Sequence, residues 1–368
     1  MFLKELLIQN FRNYKEINFK FDSKLIFIIG DNGAGKTNVI EAINHFSTFK
    51  SFRDNSDEEL VNWESDYFYL KSKIFKEQEE YIFEIGFSKN INKKRKIKIN
   101  NNVILKKQDI VGELKVVVFS PSDLKIIEGG SVSRRKFIDT TISLIDKNYY
   151  ISILEYNKIL KQRNSLLKKK DIHLSELDPW DQLLYIRAKD IFDKRKYYIE
   201  KLNYFFEKDI RKISEQKDLF YIKYKPNINN YELFIGALKE RFKRDKILGY
   251  TSVGIHRDEL FIGNDGKDII EFASQGQKRS TVISLKTSMF YLIKELTKEV
   301  PILLIDDVIR ELDIKRREQF VDLLKVSEQT FFTTTDLEGL KEYLNSIDIQ
   351  IQVIKIKEGE ISKLNEYN

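Results

Sequence analysis

Short runs of apolar residues separated by polar turns dominate the first third of the chain. Residues 2–9 and 17–29 predict strands on either side of a polar turn, and more strand-like runs follow between residues 66 and 119. Because Asn, Gly and Lys separate these later runs, they predict an antiparallel meander. The predicted meander strands are Tyr67–Ile74, Tyr81–Phe87, Lys96–Ile99, Val103–Leu105 and Val116–Phe119.

A helical pattern follows between about residues 146 and 217, where apolar residues recur mostly three or four positions apart. After Asp178-Pro179-Trp180 the spacing predicts one long amphipathic helix, paired with an earlier helix over Ile151–Leu167. We expect the apolar stripe of the long helix to form core rather than a binding site. It contains Leu184, Ala188, Ile191, Tyr198, Leu202, Phe205, Phe206, Ile210 and Ile213.

After Pro226 the pattern returns to mixed strands and helices. An apolar run, Pro301–Ile305, predicts a buried strand that ends in Asp306 and Asp307. A later apolar strand, Gln329–Phe332, is followed by three threonines, Thr333–Thr335. The changes of pattern, with breakers at Pro121 and Gly129-Gly130, divide the chain into residues 1–120, a helical part at 121–249, and residues 250–368.

Composition narrows the class of protein. With 368 residues, 42% apolar and 33% charged, the chain has the profile of a folded globular protein with room for two packed units. It has no cysteine, which excludes disulfides and cysteine-ligated metals, and its three histidines lack ligand spacing. We find no signal peptide or membrane-length apolar run, and we therefore expect a cytoplasmic protein that does not use a membrane.

The most informative motif begins directly after the apolar run Leu25–Ile29 and satisfies the pattern GxxxxGK[ST]. Its glycines allow backbone N–H groups to approach a polyphosphate, the lysine reaches the terminal phosphates, and the threonine hydroxyl can ligate Mg²⁺. The helix that opens with Asn38 adds its positive N-terminal end. The loop, which predicts an ATP site, is Gly30, Asp31, Asn32, Gly33, Ala34, Gly35, Lys36 and Thr37.

A second magnesium ligand is expected from the acidic strand end. A nucleotide loop needs a second anchor for Mg²⁺, and Asp306 at the end of an apolar strand can supply it beside Thr37. Asp307 can orient or activate water. We therefore predict Lys36, Asp306 and Asp307 as the catalytic residues.

The net charge of +7 supports an acidic partner only weakly, so the case for one depends on local clusters. Residues 89–107 contain eight Lys or Arg and no acid. This run is either a solvated hairpin or a ribbon that contacts a phosphate backbone. Lys161–Lys170 is a second basic patch, either a helix end or a contact surface.

Several segments in a fixed order resemble known ATPases. Ser274, Gln275, Gly276 and Gln277, upstream of the acidic strand, resemble the signature motif of ATP-binding-cassette ATPases. The full set is similar to the RecF family of bacterial DNA replication and repair ATPases, from residue 3 to about 336. Besides the loop and the acids, it includes Asn10–Tyr14, Thr37-Asn38, Glu41–Ile43, Ser51–Arg53, Leu160–Asn164, Trp180–Leu183, Gly254–Asp258 and Ala273–Gln277.

The resemblance implies an α/β fold, a cassette-ATPase head of mixed sheet with a P-loop. An antiparallel helical lobe with a short coiled-coil-like arm interrupts the head, as in structural-maintenance-of-chromosomes proteins. Residues 1–120 and 250–368 would form the two parts of the head. Arg12, Asn13 and Asn38 would join the nucleotide site, and residues 274–277 would cap the nucleotide of a second copy of the chain.

The implied activity is a weak, switch-like ATPase that dimerises with ATP and Mg²⁺ on single-stranded and double-stranded DNA and their junctions. In the family this clamp works with RecO and RecR to load RecA during repair, recombination and the SOS response. The chain departs from the family pattern at Ser122, Glu259 and Arg310. Transporter ATPases use a glutamate where Asp307 stands and a histidine near the three threonines.

Two other classes of protein share part of this pattern. A transporter ATPase subunit has both loops but lacks a long helical insertion between them, whereas here Lys36 and Ser274 are separated by the meander and the helical part. A structural DNA-binding protein could use the nucleotide only to control assembly. ATP turnover that DNA stimulates separates an enzyme from that second class.

Overall fold

The structure is a computed structural model that describes residues 1–90, 95–308, 322–336 and 350–367. Their strands are β1 (Phe2–Phe11), β2 (Tyr14–Lys20), β3 (Leu25–Ile29), β4 (Tyr67–Lys76), β5 (Glu79–Ser88), β6 (Arg95–Ile99), β7 (Asn102–Ile104), β8 (Val116–Phe119), β9 (Tyr221–Lys225), β10 (Glu259–Asn264), β11 (Lys267–Asp268), β12 (Ile302–Asp306), β13 (Thr330–Thr334), β14 (Ile351–Lys357) and β15 (Glu360–Tyr367). Their helices are α1 (Lys36–Thr48), α2 (Asp57–Leu60), α3 (Lys125–Glu128), α4 (Gly130–Ser143), α5 (Lys147–Leu167), α6 (Asp178–Ile213), α7 (Phe234–Leu248), α8 (Ile269–Phe272) and α9 (Gln275–Thr297).

The chain forms two compact units, one of residues 1–123 and 289–368 and one of residues 124–288. The chain passes from the first unit into the second close to the predicted boundary at residue 120. It passes back into the first unit after residue 288. Residues 250–288, which we expected to begin the second part of the head, therefore belong to the second unit. The reason is that β10 pairs antiparallel with β9, and the sheet β11-β10-β9 ties this segment to the helical part.

The first unit contains two six-stranded sheets. One has the order β2-β1-β4-β5-β6-β7, and its neighbouring strands are antiparallel. The other has the order β15-β14-β3-β13-β12-β8 and is parallel apart from the β14–β15 hairpin. The fold is therefore the expected α/β class with a mixed-sheet head.

Two strand predictions were wrong in detail. Residues 17–29 do not form one strand, because β2 pairs within the antiparallel sheet and β3 within the parallel sheet, so the chain crosses between them at residues 21–24. Val116–Phe119 does not belong to the meander. It runs parallel to β12, where all four of its side chains are buried, as expected of a strand covered on both faces.

The parallel sheet explains the apolar runs that flank the site. The side chains of Leu25–Ile28 and of Ile302–Asp306 are buried, and β13 lies between β3 and β12. Neighbouring parallel strands end at the same edge of a sheet. The carboxyl end of β3, where the glycine loop starts, is therefore brought close to Asp306 and the threonines that end β13.

The second unit is built on the predicted pair of long helices. α6 has 36 residues and is about 54 Å long at 1.5 Å per residue. Its buried residues include most of the predicted apolar stripe. Ser152 contacts Asp190 and Arg163 contacts Asp181, so residue numbers rise on one helix as they fall on the other. α5 and α6 are therefore antiparallel, as predicted.

Candidate functional site

The glycine loop connects β3 to α1, which confirms the predicted order of strand, loop and helix. Gly33 and Gly35 have φ values of 83° and 108°, in the left-handed region that favours glycine. A Cβ atom on Gly35 would also lie 2.7 Å from the side chains of Asn13 and Tyr14. The loop shape therefore requires glycine at position 35 for both conformation and space.

Lys36 lies at the centre of this loop with only 6% of its surface exposed. Its Nζ donates hydrogen bonds to the carbonyl oxygens of Gly30 at 2.7 Å and Asp31 at 2.9 Å. No side chain of the described residues caps the start of α1, whose N-cap residue is Gly35. A buried cation and an uncapped helix N-terminus at one loop form a site suited to an anion.

Thr37 and Asp306, which the sequence predicts as magnesium ligands, lie next to each other. The Thr37 hydroxyl donates to Asp306 Oδ1 at 2.8 Å, and the Asp306 side chain is 5% exposed. Burial raises the pKa of the Asp306 carboxyl, and hydrogen bonds from Thr333 and Thr37 oppose that increase. A hydroxyl and a carboxylate oxygen at this separation are ligands that suit Mg²⁺, which commonly takes only one or two carboxylates beside phosphate oxygens.

The described residues contain no group of three or more His, Cys, Asp or Glu side chains that could hold a metal alone. A cation at Thr37 and Asp306 would need further oxygens from a bound ligand or water. The chemistry of the donors therefore fits magnesium that arrives with a nucleotide.

Asp307 follows β12 in an unusual conformation. Its φ of 49° is in the left-handed region, and its N–H donates to the Thr333 hydroxyl at 3.0 Å. Its Oδ1 atom is buried and has no hydrogen-bond partner within the described part of the chain. An acceptor without a partner beside Asp306 can bind and orient a water molecule.

Thr333 is the threonine that joins the two acids. Its hydroxyl donates to Asp306 Oδ1 at 2.7 Å while it accepts from the Asp307 backbone. The hydroxyls of Thr334 and Thr335 instead contact Asp336. The sequence left these three threonines equivalent, because the choice depends on the register between β12 and β13, which places Thr333 opposite Asp306.

Asn13 and Asn38 hold the loop from the side. Asn13 Nδ2 donates to the Ala34 carbonyl at 3.2 Å, and Asn38 Nδ2 donates to Asn13 Oδ1 at 2.7 Å. Tyr14, for which the sequence predicted no individual role, donates its buried hydroxyl to the Gly35 carbonyl at 3.0 Å. Its position in the Asn10–Tyr14 motif was the only signal that could have indicated this role.

Arg12 lies beside α1 rather than in the loop. Its guanidinium donates to both carboxylate oxygens of Glu41, at 2.8 and 2.9 Å, and also to Asn55 and the Glu59 carbonyl. Ser51 and Arg53 also contact the same glutamate. The motifs Asn10–Tyr14, Glu41–Ile43 and Ser51–Arg53 therefore meet at one buried carboxylate, and a nucleotide contact by Arg12 stays a prediction.

The signature segment lies in the second unit and starts α9. The Gln277 N–H donates to Ser274 Oγ at 3.2 Å, and the Ser274 N–H donates to Gln277 Oε1 at 3.0 Å. This reciprocal pair is a capping box. Gln275 occupies the exposed first turn beside Gly276. Ser274, Gln275, Gly276 and Gln277 thus form the N-terminus of a 23-residue helix.

The basic run at residues 89–107 is partly neutralised. Arg95 pairs with Asp57 and also donates to the Phe49 carbonyl, and Lys98 lies 3.4 Å from Glu84. These contacts favour the solvated hairpin over the phosphate ribbon. Lys93, Lys94 and Arg310 lie outside the described residues.

Across the part of the chain that the structure describes, no helix combines the length and apolar character needed to cross a bilayer.

Comparison with known proteins agrees with this architecture. The family described as RecF/RecN/SMC N terminal domain matches residues 2–361. The DNA replication and repair protein RecF of Leptospira interrogans serovar copenhageni is 49% identical, over 99% of this chain and all of that one. RecF of Natranaerobius thermophilus is 36% identical over the full length of both chains.

Comparison with solved structures also finds similarity to RecF. The structure described as the recombination mediator protein RecF-ATP in the RecFOR pathway has a TM-score of 0.88 and 33% identity, and the match covers 100% of this chain and 97% of that one. A Pyrococcus furiosus Smc head domain with an extended coiled coil, at 17% identity and a TM-score of 0.55, shares the fold over 100% and 96% of the two chains. The chain described here belongs to the RecF family of DNA replication and repair proteins.

Proposed function

We propose that this chain is an ATP-dependent clamp on DNA, in which two copies close around ATP and hydrolysis reopens them. The observation that carries the proposal is the Thr37–Asp306 contact at 2.8 Å beside the buried Lys36. These groups can hold the phosphates and a cation, but they provide few donors for the γ-phosphate. The description of a relative at 33% identity as RecF-ATP supports ATP as the nucleotide.

In this proposal the loop and the ends of β12 and β13 have separate tasks. The N–H groups of Gly30–Thr37 cradle the phosphates, and Lys36 exchanges its two carbonyl contacts for phosphate oxygens. Thr37 and Asp306 would hold Mg²⁺, which when bound neutralises charge on the β- and γ-phosphates. Asp307, with its unpaired oxygen, orients the attacking water, and Thr333 fixes both aspartates.

In this proposal a second copy of the chain supplies the further hydrogen-bond donors for the γ-phosphate that the loop lacks. The start of α9 presents backbone N–H groups, and the Ser274 hydroxyl, although it accepts from Gln277, still has a hydrogen to donate. A helix N-terminus stabilises a phosphate through the positive end of its dipole. The site is then complete only in a dimer, and hydrolysis, which separates the γ-phosphate, weakens the contact.

The Ser274→Asp substitution tests this dimer. Aspartate is as good an N-cap as serine, so α9 should keep its start, but its negative charge would face the γ-phosphate of the partner copy. We expect ATP-dependent dimerisation to weaken at least about tenfold, since a repulsion of about 1.4 kcal/mol already has that effect. Sedimentation velocity with ATP, with ADP and without nucleotide measures it.

Ser175→Asp is the matched control, because Ser175 is also exposed in the second unit. It should dimerise as the unaltered chain does. A dimer that forms without nucleotide, or one that Ser274→Asp leaves unchanged, would show that α9 does not close on the nucleotide of a partner copy.

The Thr333→Val substitution tests which threonine acts. Valine keeps the shape of the side chain but removes the hydroxyl that joins Asp306 to the Asp307 backbone. Loss of such a supporting contact to a metal ligand typically lowers metal affinity or activity about 10- to 100-fold. We expect ATP turnover to fall within that range and to need more Mg²⁺, as a magnesium titration of the steady-state rate would show.

Thr335→Val is the control for that experiment, because among the described residues the Thr335 hydroxyl contacts Asp336, at 3.4 Å, and neither Asp306 nor Asp307. Equal losses from the two variants would contradict a special role for Thr333.

On DNA, we propose that the closed clamp binds single-stranded and double-stranded regions and their junctions, and that RecO and RecR act with it to load RecA. The RecFOR pathway named for the solved relative supports the first two partners. Sedimentation with gapped DNA added to the ATP sample tests whether the dimer is the form that binds. A protein that acts on the chromosome of a bacterium lies in the cytoplasm, and we propose that location for this chain.

A further inference from the structure

Two helices of the second unit end side by side. A Cβ atom on Gly249, the residue after α7, would lie 3.4 Å from Cγ of Lys168, the residue after α5. The Lys246 ammonium also donates to the Ile172 carbonyl at 3.4 Å. Beneath these residues, Phe242 packs against a small buried cluster of Leu167, Ile172 and Leu177.

A buried polar network fixes this arrangement. Arg163 of α5 is fully buried and donates to Asp181 of α6 at 2.6 Å, and it also contacts Asp245 of α7. Its Nη1 atom donates to Thr251 Oγ1 at 2.9 Å, and the Thr251 N–H donates to Asn164 Oδ1 at 2.8 Å. Because each of these contacts joins different elements, the ends of α5 and α7 cannot separate without exposing buried charge.

The surface above this network is strongly basic. We call it the basic end, and it consists of Lys168, Lys169, Lys170 and Lys246. The first three side chains are exposed, and within the described ranges none of the four forms an ion pair with an acid. The exposed acids on the same segments are Asp171 and Glu240. A dense set of cations without carboxylate partners has an excess charge that a polyanion can neutralise.

We infer that the basic end binds the phosphate backbone of duplex DNA, which gives the clamp a contact with DNA outside its ATP site. This inference rests on the proposed function, because it assumes that the clamp acts on DNA. Lysine and arginine contacts to phosphates supply affinity and position without reading sequence. The rigid support from Arg163 means that little ordering of the backbone is needed when DNA binds.

A duplex fits better than a single strand. Sequence-tolerant binding of single strands uses exposed aromatic rings on which bases stack. Beside the basic end, Tyr250 is an exposed aromatic side chain, but the Arg257 guanidinium already covers its ring, 5.0 Å from the centroid. The cations that remain can contact the outside of a duplex.

Two alternative roles for these cations lead to different results. Cations near helix C-terminal ends stabilise the helix through its dipole without binding any ligand. An acidic protein segment could also use the cations, with Ile247, 87% exposed, as an apolar anchor. The first role predicts a change in thermal stability alone, and the second predicts that a polyglutamate peptide competes with DNA.

The test is the salt dependence of binding to a labelled duplex in the presence of ATP, followed by fluorescence anisotropy. The triple variant Lys168→Gln, Lys169→Gln, Lys170→Gln removes three cations. At a slope of about 0.9 per phosphate contact, the log–log dependence of affinity on salt should become shallower by about 2 to 3. Affinity near physiological salt should fall at least about tenfold.

The matched control is Lys196→Gln, Lys201→Gln, Lys208→Gln on α6, which makes the same change in net charge beside Glu200 and Glu207. Its slope should equal that of the unaltered chain. Equal losses from both triple variants, an unchanged slope in the first, a loss confined to single strands, or competition by polyglutamate would each overturn the inference. If the unaltered chain bound no DNA, the proposed function itself would be wrong, whereas ATP-dependent dimerisation tests the clamp separately.

Discussion

Replacing Lys36 with methionine is expected to lower ATP turnover at least about 100-fold, the loss typical when one donor to a developing negative charge is removed. Methionine matches the length of the lysine stem but has no ammonium. Lys36 is the buried cation of the loop, and its Nζ is held by the carbonyls of Gly30 and Asp31 at the place where we put the phosphates. Steady-state phosphate release, with and without DNA, measures the effect.

Lys24→Met is the matched control, because Lys24 is exposed one residue before β3. That variant should hydrolyse ATP normally. A Lys36→Met variant that kept more than a tenth of the normal rate while fully folded would show that catalysis does not depend on this loop. An unaltered chain that dimerises with ATP but never turns it over would instead support a nucleotide that only controls assembly.

The parts of the site that the sequence could predict are those encoded by neighbouring residues. The glycine loop, the buried strand before it and the apolar strand ending in Asp306 are short patterns whose structure depends on local conformation and burial. Their meeting, with Thr37 2.8 Å from Asp306, follows from the edge of a parallel sheet.

What sequence reasoning missed depends on pairing between distant strands. Val116–Phe119 has the composition of any buried strand, and nothing in its residues states that β12 is its neighbour. The choice of Thr333 over Thr334 depends on the direction in which alternate side chains point from β13, and Thr335 lies beyond the end of that strand. Tyr14 looks like an ordinary core residue until its hydroxyl is seen on the Gly35 carbonyl.

The motifs in the helical part turn out to be buried charge pairs. Leu160–Asn164 and Trp180–Leu183 supply Arg163 and Asp181, which form one pair. Asp258, from Gly254–Asp258, pairs with Arg195 of α6 at 2.8 Å. Buried ions are costly unless paired, so such residues can change only together. This physical constraint gives these segments a role in the fold that needs no contact with nucleotide.

Arg195→Met is expected to destabilise the second unit by about 3–5 kcal/mol, the usual result of removing one partner from a buried ion pair. Arg195 is 2% exposed, and it donates to Asp258, to Asp139 and to the Ile255 carbonyl. Methionine fills similar space but leaves the buried Asp258 carboxylate without its ion-pair partner. Chemical denaturation followed by circular dichroism measures the loss.

Arg187→Met provides the control on the same helix, since Arg187 pairs with Glu155 where both side chains are about 40% exposed. That variant should lose no more than about 1 kcal/mol, as exposed pairs contribute little.

The pH dependence of the stability loss in Arg195→Met separates the effect of charge from the effect of packing. Burial raises the pKa of the Asp258 carboxyl and Arg195 opposes the increase, so the variant should raise it further above the value of about 3.9 in the unfolded chain. A raised pKa in the folded state means that the protonated form stabilises the fold at low pH and that this contribution is lost as pH rises through the folded pKa. The gap between Arg195→Met and the unaltered chain should therefore narrow from pH 7 towards pH 4. A gap that stays constant over this range would mean that lost packing, and not the unpaired carboxylate, causes the destabilisation.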